Sequence, residues 1–350
     1  MSGRVLVARL DSVGDVLLAG PCVRAVAAGS EQVTLLAGPR GRAAARLLPG
    51  VDEVIEWCAP WIDPDPPELT AESVEALTKQ LRDLRLDAAL ILTSFHQSPL
   101  PLAVVLRMAG VPWIGGISED YPGSLLDLRH RVDGDPPEAR RALSLARAAG
   151  YELPEGDKGL LAVRGPLPDT RELAGPPGYV AVHAAASVPA RQPTAERTRA
   201  IVHALAEAGH RVVVTGSQDE RELTAFVADC RATDLGGATD LRELASVLAS
   251  ARAVVAPNTG PAHLAAAVGT PVVSLFAPVV PSARWAPDGV ATILLGDQEA
   301  PCKDTRARRC PFEGHPCLAI DATEVVDAVA TLCNAHDDRR VGTGPTGGVS

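Results

Sequence analysis

Short apolar runs of strand length recur along the chain, each ending in a polar or glycine-bearing turn and followed by a longer stretch with helical spacing. In the first half the runs are Arg4 to Leu10, Val33 to Ala37, Val51 to Glu56, Asp87 to Leu92 and Trp113 to Ile117. The helical stretches among them are Val16 to Ala28, Gly41 to Leu48, Ser73 to Leu86, Leu102 to Ala109 and Glu138 to Ala149, while Ser118 to Arg131 reads as irregular. From Arg164 to Gly178 prolines and glycines crowd together and the pattern stops. It restarts with strands at Tyr179 to His183 and Arg211 to Thr215, helices at Ala195 to Ala208, Asp219 to Arg231 and Asp240 to Ala249, a last strand near Thr292 to Leu295 and a closing helix at Ala322 to Leu332. Strands alternating with helices on both sides of a proline-rich linker predict an α/β protein. Its two Rossmann-like parallel-sheet domains, 1–163 and 179–333, are joined by 164–178 and face a central cleft that holds the ligands. Residues 334–350 carry too little apolar material to order themselves and are expected to form a disordered tail.

Val254 to Phe276 has the least ambiguous pattern of all: strand, tight turn, short helix, second strand. Pro257-Asn258-Thr259-Gly260 breaks the first strand, Pro261 sits where a first helical residue needs no amide hydrogen, and Gly269 ends the helix. With Thr259 or Gly260 as cap, free N–H groups and the positive end of the helix dipole point at the turn, which makes it an anion cradle. His263 in the first helical turn fits a further hydrogen bond to that anion and equally a structural role.

Composition then removes several classes. Among 350 residues, aromatics at 3% and a net charge of −10 argue against a nucleic-acid binder, which needs stacking surfaces and a basic face. No apolar run approaches the roughly 18 residues that cross a bilayer, and no signal-peptide pattern precedes the first strand. The expectation is a cytoplasmic protein with at most peripheral membrane contact. Seven scattered cysteines do not make a secreted disulfide framework and read as reduced thiols.

No G-x-G-x-x-G follows the first strand and no Walker motif occurs, which argues against a dinucleotide dehydrogenase or a P-loop enzyme. Asp15, beside Gly14 at a helix start and at the carboxyl end of a strand, fits a general base and also a plain capping aspartate. Asp63-Pro64-Asp65 has the D-x-D spacing of a cation site, but it lies in a proline-rich loop with no strand to fix both carboxylates.

Ser12-Val13-Gly14-Asp15, the loop from His183 to Arg191, Glu220-Arg221-Glu222-Leu223-Thr224 and Thr259-Gly260-Pro261-Ala262-His263-Leu264 together resemble glycosyltransferase family 9, typified by ADP-heptose:lipopolysaccharide heptosyltransferases. The likeness runs from Val5 to Val329. It implies the two-domain GT-B fold and inverting, metal-independent transfer of a sugar, foremost a heptose, with no cofactor. The donor would be a nucleotide-diphospho-sugar, ADP-linked by preference, and the acceptor a hydroxyl on a glycan, glycolipid or small molecule. Asp15 then corresponds to the base, with Ser12 and Gly14 in its loop. Arg191 stands in place of a family lysine facing the donor diphosphate, where a guanidinium clamps two phosphate oxygens. Glu220 corresponds to the residue on the donor ribose, and Asn258, Thr259, Gly260 and His263 lie on the donor pyrophosphate turn.

The departures from the family pattern are Asn258 where aspartate is common, Ala184 and Ala185 where glycines are frequent, and Pro137-Glu138-Ala139-Arg140-Arg141 in place of a His-Glu-x-Glu-Arg-like helix start. They keep open a non-catalytic nucleotide-sugar-binding protein and a nucleotide-sugar epimerase as competing readings; the Asp15 loop on the domain opposite the donor favours transfer. Cys302, Cys310, His315 and Cys317 are zinc-type residues at spacings longer than usual knuckles, and Lys303, Arg306, Arg308 and Arg309 form a basic run open to either solvent or an anionic substrate.

Overall fold

Strands buried on both faces need helical layers above and below, and crossover helices between parallel strands supply them. The computed structural model describes residues 3–312 and 314–341, with the backbone alone beyond Ala335. Contacts divide it into two compact units, Met1–Gly165 and Pro166–Ser350.

In the first unit β1 (Arg4–Arg9), β2 (Gln32–Ala37), β3 (Glu53–Glu56), β4 (Ala88–Ile91), β5 (Trp113–Ile117) and β6 (Leu128–His130) form one sheet in the order β3-β2-β1-β4-β5-β6, parallel throughout. Alternate residues of the inner strands serve the two layers. Leu6, Ala8, Leu36, Ala89 and Ile91 pack with Leu77 and Leu81 of helix Ala71–Asp83 and Leu102 and Leu106 of helix Leu100–Met108. Val5, Val7 and Leu35 are equally buried, and helices Gly20–Ala28 and Glu138–Ala148 pack against one another in the opposite layer.

The second unit has β7 (Val180–His183), β8 (Val212–Gly216), β9 (Thr233–Gly236), β10 (Ala253–Pro257), β11 (Val272–Leu275) and β12 (Thr292–Leu295), ordered β12-β11-β10-β7-β8-β9 and again all parallel. Counted within each unit, both sheets read 3-2-1-4-5-6, the doubly wound dinucleotide-fold order, with the reversal between first and fourth strands. The loops leaving β1 and β4, and those leaving β7 and β10, therefore flank the crevice where such sheets bind ligands.

Several elements differ from the sequence pattern. The first helix starts at Val13, not Val16, and gives way after Leu18 to a second one, Gly20–Ala28, with Pro21 in its first turn. Strand β6 lies inside the segment read as irregular, and β9 has no counterpart in the pattern because only Leu235 of its four residues is buried. The helix read as Asp219–Arg231 is a 3-10 turn, Gln218–Glu220, followed by Arg221–Ala228, closed by Asp229 in the left-handed region. The last helix runs Ala322–Val341, past Leu332 and into the stretch expected to be disordered; no glycine or proline interrupts it before Gly342. Residues 342–350 of that expected tail lie outside the described residues.

Candidate active site

Strand β1 carries an arginine at its end that is only 3% exposed. A buried guanidinium must be paired, and Arg9 is paired with nearly everything around it. Its Nε lies 2.9 Å from Asp11 Oδ2, and its Nη2 donates to Asp15 Oδ1 at 3.0 Å and to Ser94 Oγ at 2.9 Å. Burial opposes the charge and is outweighed by Asp11, Asp15 and Glu138, so Arg9 is held above the ordinary arginine value. The other oxygen of Asp15 accepts from the Ser12 hydroxyl at 2.7 Å and, at 3.4 Å, from the Ser12 amide, so that Ser12 and Asp15 form the capping box of the short helix Val13–Leu18. Asp15 is 18% exposed, which leaves its carboxylate reachable from solvent.

Asp11 accepts from Gln97 Nε2 at 2.5 Å, and burial, opposed by Arg9 and reinforced by Asp15, pushes its carboxyl up to about 6. Behind this cluster Arg141 donates to the Thr93 carbonyl at 2.6 Å and lies 3.4 Å from the buried Glu138, fixing the loop after β4. Gly14 is buried beneath. The turn after β1 also needs room: a Cβ on Gly38, at the end of β2, would run into the Leu10 carbonyl oxygen.

In the second unit the corresponding crevice is built differently. Helix Gly260–Ala267 begins directly after β10, with Thr259 extended as its cap, Pro261 in its first turn and His263 buried. Asn258 is buried and exchanges two long bonds with the Ala277 peptide, its amide nitrogen donating to the carbonyl and its amide oxygen accepting from the N–H, both at 3.4 Å. An amide performs both halves of that exchange; a carboxylate has no proton to give to the Ala277 carbonyl. Asn258 therefore ties the turn after β10 to the loop after β11.

After β7, the neighbour of β10, the chain passes through a 3-10 turn, Pro189–Arg191, which carries Arg191. The Ala190 amide donates to the Arg308 carbonyl, and the Arg306 amide to that of Val279, so the basic run is docked by its backbone on this edge. His183 ends β7 and shares a 3.0 Å hydrogen bond with Thr215; burial, partly offset by Glu220, lowers it to about 4 and makes it a neutral imidazole near pH 7. Glu220 accepts from the Ser217 amide at 2.7 Å, completing a capping box, and its charge acts on His183.

The structure thus brings Ser12, Gly14 and Asp15 together in one cluster, and Asn258, Thr259, Gly260 and His263 onto one turn, with Arg191 and Glu220 on adjacent loops of the same sheet edge. The pattern reading did not pick out Arg9, Asp11, Ser94 or Gln97 as site residues, and it met Glu138 and Arg141 only within the 137–141 departure from the family pattern. The available signal was a charged residue closing an otherwise apolar strand at Arg9, with a second carboxylate two positions on. Asp63 and Asp65 are both ion-paired with Arg40, at 3.5 and 2.5 Å. The Cys302 and Cys317 thiols are buried against one another, and burial, with Cys302 alongside, pushes Cys317 up to about 12. Among the described residues no group of three or more His, Cys, Asp or Glu side chains is arranged to hold a metal ion, and no helix is long and apolar enough to cross a membrane.

Residues 74–315 match the family model described as glycosyltransferase family 9 (heptosyltransferase). The chain belongs to glycosyltransferase family 9. Within the family it is similar to lipopolysaccharide heptosyltransferase 1 of Pseudomonas aeruginosa, 34% identical over 176 residues, which is 48% of this chain and 46% of that protein. It is also similar to lipopolysaccharide heptosyltransferase 3 of Escherichia coli, 30% identical over 142 residues, 38% and 40% of the two chains. The matched stretch thus spans less than half of either curated relative. The solved structure of the E. coli ADP-heptose lipopolysaccharide heptosyltransferase II superposes with a TM-score of 0.74 at 19% identity, covering 95% of this chain and 99% of that one. The family 9 chain therefore has the GT-B type of fold, each unit carrying one doubly wound parallel sheet.

Proposed function

We propose that this protein is an inverting glycosyltransferase that moves a sugar, a heptose by preference, from an ADP-linked donor to a hydroxyl of a glycan, glycolipid or small molecule, without a metal ion. The observation that carries this reading is the Asp15 carboxylate of a family 9 chain, held at the switch point of its sheet by Arg9 on one oxygen and Ser12 on the other. Held in that way, Asp15 offers a fixed, solvent-reachable lone pair to an acceptor hydroxyl. It takes the proton as the hydroxyl oxygen bonds to the donor's anomeric carbon, and the bond from that carbon to the diphosphate oxygen breaks, its electron pair leaving with the nucleoside diphosphate.

The departing charge is the second unit's task. The N–H groups at the start of helix Gly260–Ala267 and the Arg191 guanidinium supply fixed positive potential for a diphosphate without a cation. One further observation supports a metal-free reading: the D-x-D carboxylates are both ion-paired with Arg40. The ADP-heptose named for the E. coli structural relative supports the donor choice.

The test is acceptor-dependent release of ADP from ADP-heptose, with a glycolipid, a free glycan and a small hydroxylated scaffold offered in turn. Release that requires acceptor and disappears in Asp15→Asn supports transfer. Sugar isomerisation without acceptor, or tight donor binding with no turnover on any acceptor, overturns it.

A further inference from the structure

Building on the transferase reading, we propose that Asp11 is a positioning residue that sets the proton affinity of Asp15 through the Arg9 guanidinium they share. The geometry is one fork with two carboxylates on it: Nε of Arg9 faces Asp11 at 2.9 Å, and Nη2 faces Asp15 at 3.0 Å. The groups facing Asp11 are Arg9 from β1, Asp15 from the first helix, Ser94 and Gln97 from the loop after β4, and Glu138 from the start of helix Glu138–Ala148. Glu138 lies 3.4 Å from Arg141, and the Arg9 guanidinium sits between Asp11 and Asp15.

A carboxylate that must lift a proton from a hydroxyl is weakened by a guanidinium of its own, because the cation stabilises the ionised form. Dividing the cation between two carboxylates restores proton affinity while keeping the orientation that the hydrogen bond imposes. Asp15 is hydrogen-bonded to the guanidinium, and Asp11 meets it as a close ion pair.

Burial pushes Asp11 up to about 6, which gives the arrangement a pH dependence. Below that range Asp11 takes a proton, the Arg9 charge is no longer shared with Asp11, and Asp15 is the poorer base. Above it Asp11 is ionised, shares the Arg9 charge and leaves Asp15 the stronger base. Asp15 and Arg9 both act on the Asp11 carboxyl, so the acid limb of activity reports the cluster and not one group.

Two measurements test this. The first is kcat/KM against pH with ADP-heptose and an accepted acceptor, for wild type and Asp11→Asn. The expected result is an acid limb near pH 6 in the wild type, moved about one unit lower in the variant, with a plateau about tenfold lower and KM for the donor unchanged. A residue that only holds the loop together would lower the rate at every pH and leave the limb in place.

The second measurement needs no turnover: carboxyl ¹³C titration of aspartate-labelled protein, with Asp11 assigned by its loss in Asp11→Asn. Asp15→Asn is expected to lower the Asp11 midpoint by about one unit. An Asp11 midpoint indifferent to Asp15→Asn, or an acid limb indifferent to Asp11→Asn in an active enzyme, overturns the proposal. Coupled titration with no turnover on any acceptor would instead overturn the transferase reading and leave the coupling between the carboxylates standing.

Discussion

The two switch points share a strand order and almost nothing else. In the first unit the crevice is furnished by charged side chains, with Arg9 locked among Asp11, Asp15 and Ser94. In the second the strand ends carry a helix start after β10, an amide exchange between Asn258 and the Ala277 backbone and a neutral His183, with Arg191 and Glu220 on neighbouring loops. On the proposed transferase reading, the difference follows from what each edge would be asked to do. Removing a proton needs one lone pair of tuned basicity, which only a side chain provides. Receiving a diphosphate needs several donors at fixed places and space beside them, which amides provide without the cost of burying charges.

The sharpest way to break this contrast is Asp15→Asn. It should lower acceptor-dependent ADP release by about a hundred- to ten-thousand-fold while donor binding, followed by calorimetry, stays unchanged. Loss of donor affinity would mean that the charged edge also serves the donor. Next in size is Arg191→Ala, expected to cost about a hundredfold in kcat/KM for the donor, with Arg191→Lys recovering part of it. An equal loss in both variants would show that fork geometry, not charge alone, is required.

Asn258→Asp addresses stability: it places a carboxylate against the Ala277 carbonyl and should destabilise the second unit by about 1–3 kcal/mol in denaturant unfolding. No change there would mean that the pair of long bonds is dispensable.

The smallest effect concerns acid, and the two edges carry opposite signs. Asp11 has a folded value of about 6 against 3.8, so its ionised form is a penalty fully present above pH 6 and relieved as pH falls toward 3.8. His183 has a folded value of about 4 against 6.5, so its contribution is fully present above pH 6.5 and lost as pH falls toward 4. Lowering the pH from 7 to 5 should therefore shift the melting of the second unit a few degrees downward relative to the first. Trp57, Trp61 and Trp113 report on one unit and Trp285 on the other. Parallel shifts would mean that the two buried groups do not govern their units' acid response.

Much of this was legible in the order of residues. Runs such as Arg4 to Leu10 and Val254 to Phe276 are apolar enough to be strands buried on both faces, and Pro261 and Gly269 punctuate the helix between the last two inner strands. The strand–turn–helix around Thr259 and the helix start at Asp15 were legible because each lies within a few residues of its own strand. What stayed hidden was assembled at a distance. Arg9 meets Ser94, Asp11 meets Gln97 and Arg141 meets Thr93 only because β1 and β4 are neighbours in the sheet, and no local spacing announces that. Strand β9 was hidden for the opposite reason: an edge strand with little to bury leaves no apolar signature.

The repeated strand order has a consequence for how such a protein diversifies. Among the described residues, every hydrogen bond named around Arg9, Asp11 and Asp15 comes from positions before Gly165, and every one named around Asn258, His183 and Glu220 from positions after it. Substitutions in the loops after β1 and β4 remove none of the named bonds within the β7 and β10 loops. If the transferase reading holds, a lineage of this kind can keep one activated sugar and wander among recipients, and a chimera joined at Gly165 and Pro166 is the experimental form of that history.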